Sequence, residues 1–313
     1  MILRFFSVLF AVWGLVACTH DKVPPYREYK TQNVIIIVVD GPRYSETWGD
    51  PSRINIPVRD SLSAYGVLLT NFTNQGITYT IPGHTAICTG NYQSIANDGS
   101  QFPDYPSIFQ DWLKTTNESY TRCCIVGSKD KLRALSNCLY SDYQDLYRPF
   151  FDCGVNGDGT GGYRADSITL DRALVTLSTK QPKLMLIAFK DPDYFGHQSD
   201  SVGYINAIRK TDQYLGVIWN YLQNSSNYKD QTTLIVTNDH GRHLDGILNG
   251  YTSHGDNCAG CRHIELFAIS PDFKDNLQLS TGYDQLDISA TVAELLHFSF
   301  KTGKGEVMAD LFK

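Results

Sequence analysis

The feature that most constrains this chain is the run Asn-Val-Ile-Ile-Ile-Val-Val at Asn33–Val39, with an aspartate directly after it. An uninterrupted β-branched run has no polar face to turn to water, so it reads as a strand buried on both sides, as in parallel sheets. Similar runs recur at residues 67–72, 122–126, 183–189, 232–237 and 264–269. Helical patterns separate them. The clearest sets Tyr204, Ile208, Thr211, Leu215, Ile218 and Leu222 on one face by repeating at four and three residues. Asp287 reads as the N-cap of a last helix whose apolar face is Ile288, Val292 and Leu295. This alternation predicts an α/β fold, a mostly parallel central sheet with helices on both faces.

With 313 residues, 42% of them hydrophobic, the chain can build one large domain of that kind. Lys+Arg number 27 against 33 Asp+Glu, a net charge of −6, which excludes a reader of nucleic acid duplexes. At the N-terminus Arg4 precedes an apolar stretch, residues 5–16, that ends in Leu15-Val16-Ala17-Cys18. A bilayer span needs about 20 apolar residues, so this stretch reads as a cleaved signal. The Leu-x-Ala-Cys ending resembles a bacterial lipobox. The expectation is a signal peptide over 1–17, lipid on Cys18, a tether over 18–32 and a catalytic domain over 33–313. The protein would then be lipid-anchored in the bacterial cell envelope and touch membrane only through that lipid. Beyond Cys18 the chain has Cys88, Cys123, Cys124, Cys138, Cys153, Cys258 and Cys261. Cys258-x-x-Cys261 fits a local disulfide or half of a structural zinc site, and without a second cysteine pair at zinc spacing the disulfide is preferred. The glycine-rich stretch 154–162, with Asp152, Asn156 and Asp158 around it, lacks the acidic twelfth position of a calcium loop and reads as a flexible loop.

Open parallel sheets bind ligands beyond the carboxyl ends of their strands. Here Asp40 follows the first run, Asp193 and His197 follow 183–189, and Asp239-His240 follow 232–237. One such Asp is an ordinary cap, but several strand ends carrying Asp and His together suit a pair of borderline ions such as zinc. Two ions about 4 Å apart can clamp the attacking and leaving oxygens of a phosphoryl group. Thr78-Tyr79-Thr80-Ile81-Pro82-Gly83-His84 supplies a nucleophile, because Thr80 stands before a Pro at a helix start, where free backbone N–H groups face an anion. Thr78 is the rival hydroxyl.

These segments resemble the alkaline phosphatase superfamily, most of all its nucleotide pyrophosphatase/phosphodiesterase branch. Asp40-Gly41-Pro42-Arg43 matches D-G-x-R, Thr80-Ile81-Pro82-Gly83-His84 matches T-x-P-x-H, residues 193–197 match D-x-x-G-H and Asp239-His240-Gly241 matches D-H-G. Tyr251-Thr252-Ser253-His254-Gly255 stands where the last ligand histidine precedes a glycine. The resemblance implies one zinc on Asp193, His197 and His254 and another on Asp40, Asp239 and His240, with manganese the alternative ion. Thr80 bridges toward the phosphoryl group of a small phosphorylated substrate and carries it as phospho-threonine. His263 is the rival for the last ligand position, with a hydrogen-bonded structural role preferred. His84 is expected to orient the Thr80 turn; His243 and His297 receive no role.

Two departures bear on substrate. Only fourteen positions separate His240 from His254, so the branch's long insertion is missing, which argues against a nucleotide-base pocket. Ser128-Lys129-Asp130-Lys131 resembles the S-x-K-D-R segment of the superfamily's Thr-nucleophile monoesterases, in which the cations hold the extra charge of a monoester; a solvated charge run is the bland alternative. Asn97 is the candidate oxyanion contact. The expected function is a zinc-dependent phosphodiesterase or nucleotide pyrophosphatase. The alternatives are a monoesterase using Lys129 and Lys131, and a non-catalytic metal-dependent binding lipoprotein.

Overall fold

The computed structural model describes residues 27–313. The expected signal peptide and Cys18 lie outside the described residues. Among the described residues nine strands form one sheet: β1 (Asn33–Val39), β2 (Val67–Thr73), β3 (Cys123–Gly127), β4 (Phe150–Cys153), β5 (Leu184–Phe189), β6 (Thr232–Thr237), β7 (His263–Ile269), β8 (Leu277–Leu279) and β9 (Tyr283–Asp284). Their order is β4-β3-β5-β1-β6-β7-β2-β8, with β9 also on β2. β1 pairs in parallel with β5 and β6, while β7 is antiparallel to both β6 and β2. The helices are α1 (Pro57–Leu62), α2 (Thr80–Thr89), α3 (Ile108–Thr116), α4 (Asp166–Lys180), α5 (Asp191–His197), α6 (Ser201–Asn224), α7 (Ala259–Arg262) and α8 (Gln285–Leu295). This is the predicted mostly parallel α/β architecture.

The alternation of β1 explains why its sequence has no polar face. Val34, Ile36 and Val38 pack with Ile87 of α2, Trp112 of α3 and Val292 of α8. Ile35, Ile37 and Val39 face the opposite layer, with Leu177 of α4 and Ile208, Leu215 and Ile218 of α6. Each face of the central strands is therefore dry, and about 25 cal/mol is gained per Å² of apolar surface removed from water. The short strands β4, β8 and β9 were not evident in the sequence, because runs this brief lack a resolvable period.

Several expectations change in detail. Asp284, not Asp287, caps α8; its side chain accepts from the Leu286 N–H, while Asp287 at the third helical position accepts from the Asp284 N–H. The pair is a capping box with acids at both positions, and the sequence favours the wrong one of the two. The stretch 154–162 is tied down rather than loose, with Cys153 N–H to Gly157 O at 3.1 Å and Gly162 N–H to Asp130 Oδ2 at 2.9 Å. The end of the expected tether is docked, since the Lys30 and Thr31 N–H groups both donate to Asp272. Cys88, Cys123, Cys124, Cys138, Cys153, Cys258 and Cys261 are all free thiols. Among the described residues no helix is long and apolar enough to cross a membrane.

Candidate active site

Side by side and parallel, β1 and β6 deliver Asp40 and Asp239-His240 to one sheet edge, and β5 runs into α5, whose first turn holds Asp193. Asn238 locks that edge: its Nδ2 donates to Val39 O at 2.8 Å and its Oδ1 accepts from the Glu265 N–H at 3.1 Å. The Asp239 carbonyl accepts from Asn74 Nδ2 at 2.8 Å and Gln285 Nε2 at 2.7 Å. Helix α2 is pressed onto the same carbonyl. A Cβ at Gly83 would lie 2.4 Å from Asp239 O, so only glycine lets Thr80 come this close. Gly41 turns the chain out of β1 with φ +70°, a conformation that suits a residue without Cβ.

Asp40, Asp239 and His240 are sealed from solvent. His240 Nδ1 donates to Gly241 O at 2.9 Å, which leaves Nε2 with its lone pair 3.4 Å from Asp40 Oδ1 and 3.5 Å from Asp239 Oδ2. None of these three facing atoms has a hydrogen-bond partner. Burial pushes His240 down to about 3 despite the Asp239 charge beside it, so the ring is neutral. Burial and the Asp239 charge push the Asp40 carboxyl well up, against the pull of Lys129. Asp239 is just as buried, but His240, His84 and Lys129 hold it below the ordinary carboxylate range. Three electron-pair donors aimed at one another call for a cation. Bonds of about 2.0–2.1 Å in a tetrahedron put donor atoms roughly 3.3 Å apart, close to the spacing observed.

The second triad is more open. His254 Nδ1 donates to Thr78 O at 2.8 Å, freeing Nε2 to face His197 Nε2 at 3.0 Å and Asp193 Oδ1 at 3.3 Å. His197 Nε2 is 3.2 Å from Asp193 Oδ1, and its side chain is 45% exposed. Burial raises the Asp193 carboxyl, but Lys129, His197, His254 and Arg242 outweigh it and hold the group well below the ordinary range. Both triads have the donor types and spacing of catalytic zinc sites, which keep one coordination position open.

Between the triads stands Lys129, only 3% exposed. Its ammonium lies 2.7 Å from Asp40 Oδ2, 2.7 Å from Asp193 Oδ2 and 3.0 Å from Thr80 Oγ1. The two carboxylates thus divide their oxygens, Oδ1 toward histidines and Oδ2 toward the lysine. Thr80 opens α2, and the residue before it, Tyr79, is the N-cap and makes no side-chain cap. The Thr80 hydroxyl is therefore not spent on capping. His84 Nδ1 donates to Thr80 O at 2.8 Å and stands 3.3 Å from Asp239 Oδ2, which ties the turn to the buried triad. Asn97 Oδ1 accepts from the Ile81 N–H at 2.9 Å and from Lys131 Nζ at 3.2 Å, so both Asn97 and Lys131 border the Thr80 turn. Burial and the neighbouring Lys129 charge pull Lys131 down to about 8.

The structure brings together Asp40, Thr80, Asn97, Lys129, Lys131, Asp193, His197, Asp239, His240 and His254. It leaves out His263, whose Nε2 donates to Thr70 O at 3.0 Å beneath the Tyr44 ring. Thr78 also drops out as a nucleophile, because its hydroxyl donates to Asp256 O at 2.8 Å. Sequence reasoning missed Arg242. This fully buried guanidinium binds Asp193 Oδ1 through Nη1 at 2.5 Å, and through Nε and Nη2 it holds the Tyr251 and Thr252 carbonyls of the segment that presents His254. Its position directly after Asp-His-Gly was the available signal.

Residues 115–243 match the family model described as type I phosphodiesterase / nucleotide pyrophosphatase. A protein in the alkaline phosphatase superfamily from Vibrio parahaemolyticus superposes with TM-score 0.67 at 16% identity, over 92% of this chain and 72% of that one. The chain has the alkaline phosphatase fold. The murine ectonucleotide pyrophosphatase/phosphodiesterase 5 superposes with TM-score 0.63 at 17% identity, over 90% of this chain and 100% of that one. In sequence, a phosphopentomutase of Herpetosiphon aurantiacus is 25% identical over 170 residues, 53% of this chain and 38% of that protein. The chain thus spans less than half the length of the curated relatives it matches.

Proposed function

We propose that the chain is a metal-dependent hydrolase of phosphoric esters, of the phosphodiesterase and nucleotide pyrophosphatase type, with Thr80 as nucleophile. The observation that carries this reading is the Thr80 hydroxyl held by Lys129 between two triads of carboxylate and imidazole donors. Zinc is the ion the mixed nitrogen and oxygen donors suit, with Asp193, His197 and His254 holding one and Asp40, Asp239 and His240 the other. Bound there, the metals supply Lewis-acid stabilisation of phosphoryl oxygens and lower the pKa of a hydroxyl. The murine neighbour supports the scheme, since an inactive threonine-to-alanine variant of it is in complex with AMP.

The chain's own groups account for the remaining steps. Thr80 Oγ1 forms a bond to phosphorus as the bond to the leaving oxygen breaks, giving phospho-threonine; water then cleaves it and restores the hydroxyl. Lys129 places a positive charge beside the attacking oxygen, where charge on the transferring group is best compensated. The N-terminus of α2 favours an anion there; because the Ile81 N–H of that turn is taken by Asn97 Oδ1, the Asn97 amide Nδ2 is the group that donates to a phosphoryl oxygen in its place.

The position of Lys129 favours a second reading of scope, monoester cleavage. A monoester carries one more negative charge than a diester, so a buried cation at the nucleophile gains differentially in its transition state. A charged hydrogen bond is worth about 1.5–3 kcal/mol, or roughly 10–100-fold in rate. Turnover of paired aryl mono- and diester phosphates by wild type and Lys129→Ala tests both readings. Under the phosphodiesterase reading the diester is the better substrate of the wild type; a monoester rate that exceeds it and falls 10–100-fold more in the variant establishes the monoesterase. No metal-dependent turnover of either ester by wild type would leave only a binding protein.

A further inference from the structure

Outside the active site, four donors converge around the Cys258-x-x-Cys261 pair, for which the sequence prefers a disulfide over half of a structural zinc site. His243, Asp256, Cys258 and Cys261 each offer a ligand atom within 4.8 Å of the others. His243 is 3% exposed, and its Nε2 is buried without a hydrogen-bond partner. That nitrogen lies 3.2 Å from Asp256 Oδ1, the spacing of His197 Nε2 from Asp193 Oδ1 in the open triad. The ring is already oriented for a ligand. Its Nδ1 shares a hydrogen bond with Ser253 Oγ at 3.0 Å, its carbonyl accepts from Arg43 Nη1 at 3.1 Å, and its N–H donates to Ser253 O at 3.2 Å. A partner on one ring nitrogen is the usual way a metal-binding histidine is fixed.

The two cysteines are free and set by α7, with Cys258 as its N-cap and Cys261 fully buried. Cys258 Sγ accepts from the Cys261 N–H at 3.3 Å, which fixes that sulfur over the first turn of α7. A disulfide would use the sulfurs alone and leave the buried His243 nitrogen facing Asp256 with nothing between them. The two segments also cross closely here, since the Gly241 N–H donates to Cys261 O at 2.8 Å and a Cβ on Gly260 would lie 2.4 Å from Arg242 O.

We propose that His243, Asp256, Cys258 and Cys261 form a third metal site, a closed four-donor zinc site that clamps the loop carrying His254. Four protein ligands leave no open position, so the site is structural rather than catalytic. Two thiolates select zinc over manganese or magnesium, and binding releases the two thiol protons to solvent. The clamp closes residues 244–255 into a loop. His254 lies two residues before Asp256, whose carbonyl is also held by the Thr78 hydroxyl. The site therefore positions a catalytic ligand without touching substrate, and it stands whether or not the hydrolase reading does.

Cobalt(II) loaded into the metal-stripped full chain separates this site from the others, because only here are thiolates among the donors. The expected result is a near-ultraviolet thiolate-to-cobalt charge-transfer absorption that saturates with one cobalt. Cys258→Ser/Cys261→Ser should abolish that band and lower bound metal by one per chain while the other metals stay. His243→Gln, which keeps both thiols, should require more cobalt to reach the same absorption. Absence of the band in protein with both thiols titratable would overturn the proposal, as would a Cys258–Cys261 disulfide recovered from metal-saturated protein or unchanged metal content in the double variant.

Discussion

Asp40, Asp239 and His240 hang from the ends of two adjacent parallel strands and are shut off from water, whereas Asp193, His197 and His254 come from a short helix and a surface loop, with His197 half in solvent. The buried half owes its geometry to sheet register, braced by Asn238, Asn74 and Gln285. The open half owes its geometry to Arg242 and to the backbone of Thr78. Charge is distributed just as unevenly. In the buried half, burial drives the Asp40 carboxyl up, and three facing donor atoms are unpaired. Lys129 pairs equally with Asp40 and Asp193, but in the open half Arg242 adds a second cation on Asp193. Without metal, then, the buried half is the strained one, and metal there should stabilise the fold more.

Removing one histidine from each half is the strongest way to break this contrast. Both His240→Ala and His254→Ala should lose one zinc per chain and several orders of magnitude in ester turnover. They should differ in stability. Zinc at a thousandfold excess over its dissociation constant stabilises a protein by about 4 kcal/mol, and calorimetry of the stripped wild type should show the corresponding rise in Tm on adding zinc. Most of that rise should vanish in His240→Ala and most of it should remain in His254→Ala; both variants keep the Cys258 and Cys261 donors, so the comparison is like for like. A larger loss in His254→Ala would reverse the assignment of the strained half.

Arg242→Gln sharpens the contrast with a smaller effect. It removes the partner of Asp193 Oδ1 and frees the Tyr251 and Thr252 carbonyls. Groups that orient metal ligands are worth about 10–100-fold in affinity. Zinc titration followed by turnover should show the weaker of the two catalytic zinc affinities fall by about that factor, with the tighter one unchanged. Equal weakening of both would show that the halves are mechanically one unit.

The same contrast explains what could be read from the sequence. Asp40 and Asp239 were legible from local pattern, because a residue one or two places after a two-face-buried run must emerge at the carboxyl edge of the sheet. His254 sits in a loop with no periodicity, and only the family resemblance singled it out. Lys129 was singled out only by the resemblance of Ser128-Lys129-Asp130-Lys131 to a monoesterase segment, since sequence does not show that its ammonium is buried between carboxylates following two other strands. Arg242 reads as an ordinary solvent-facing charge, marked only by its place directly after Asp-His-Gly, and its complete burial shows only in the fold. His243 was passed over because its companions lie 13 to 18 positions further along, and neither a lone histidine nor a single cysteine pair shows a ligand set until the chain folds back on itself.

The most direct test of the central claim is to trap the covalent intermediate. Wild-type protein mixed with a reactive aryl phosphate and quenched in acid during turnover should carry one phosphate on the peptide containing Thr80, detected as a mass increase, and Thr80→Ala should show neither label nor turnover while retaining its metals. Unlabelled Thr80 at full turnover, or a label on Thr78 instead, would contradict the assignment of Thr80 as the nucleophile.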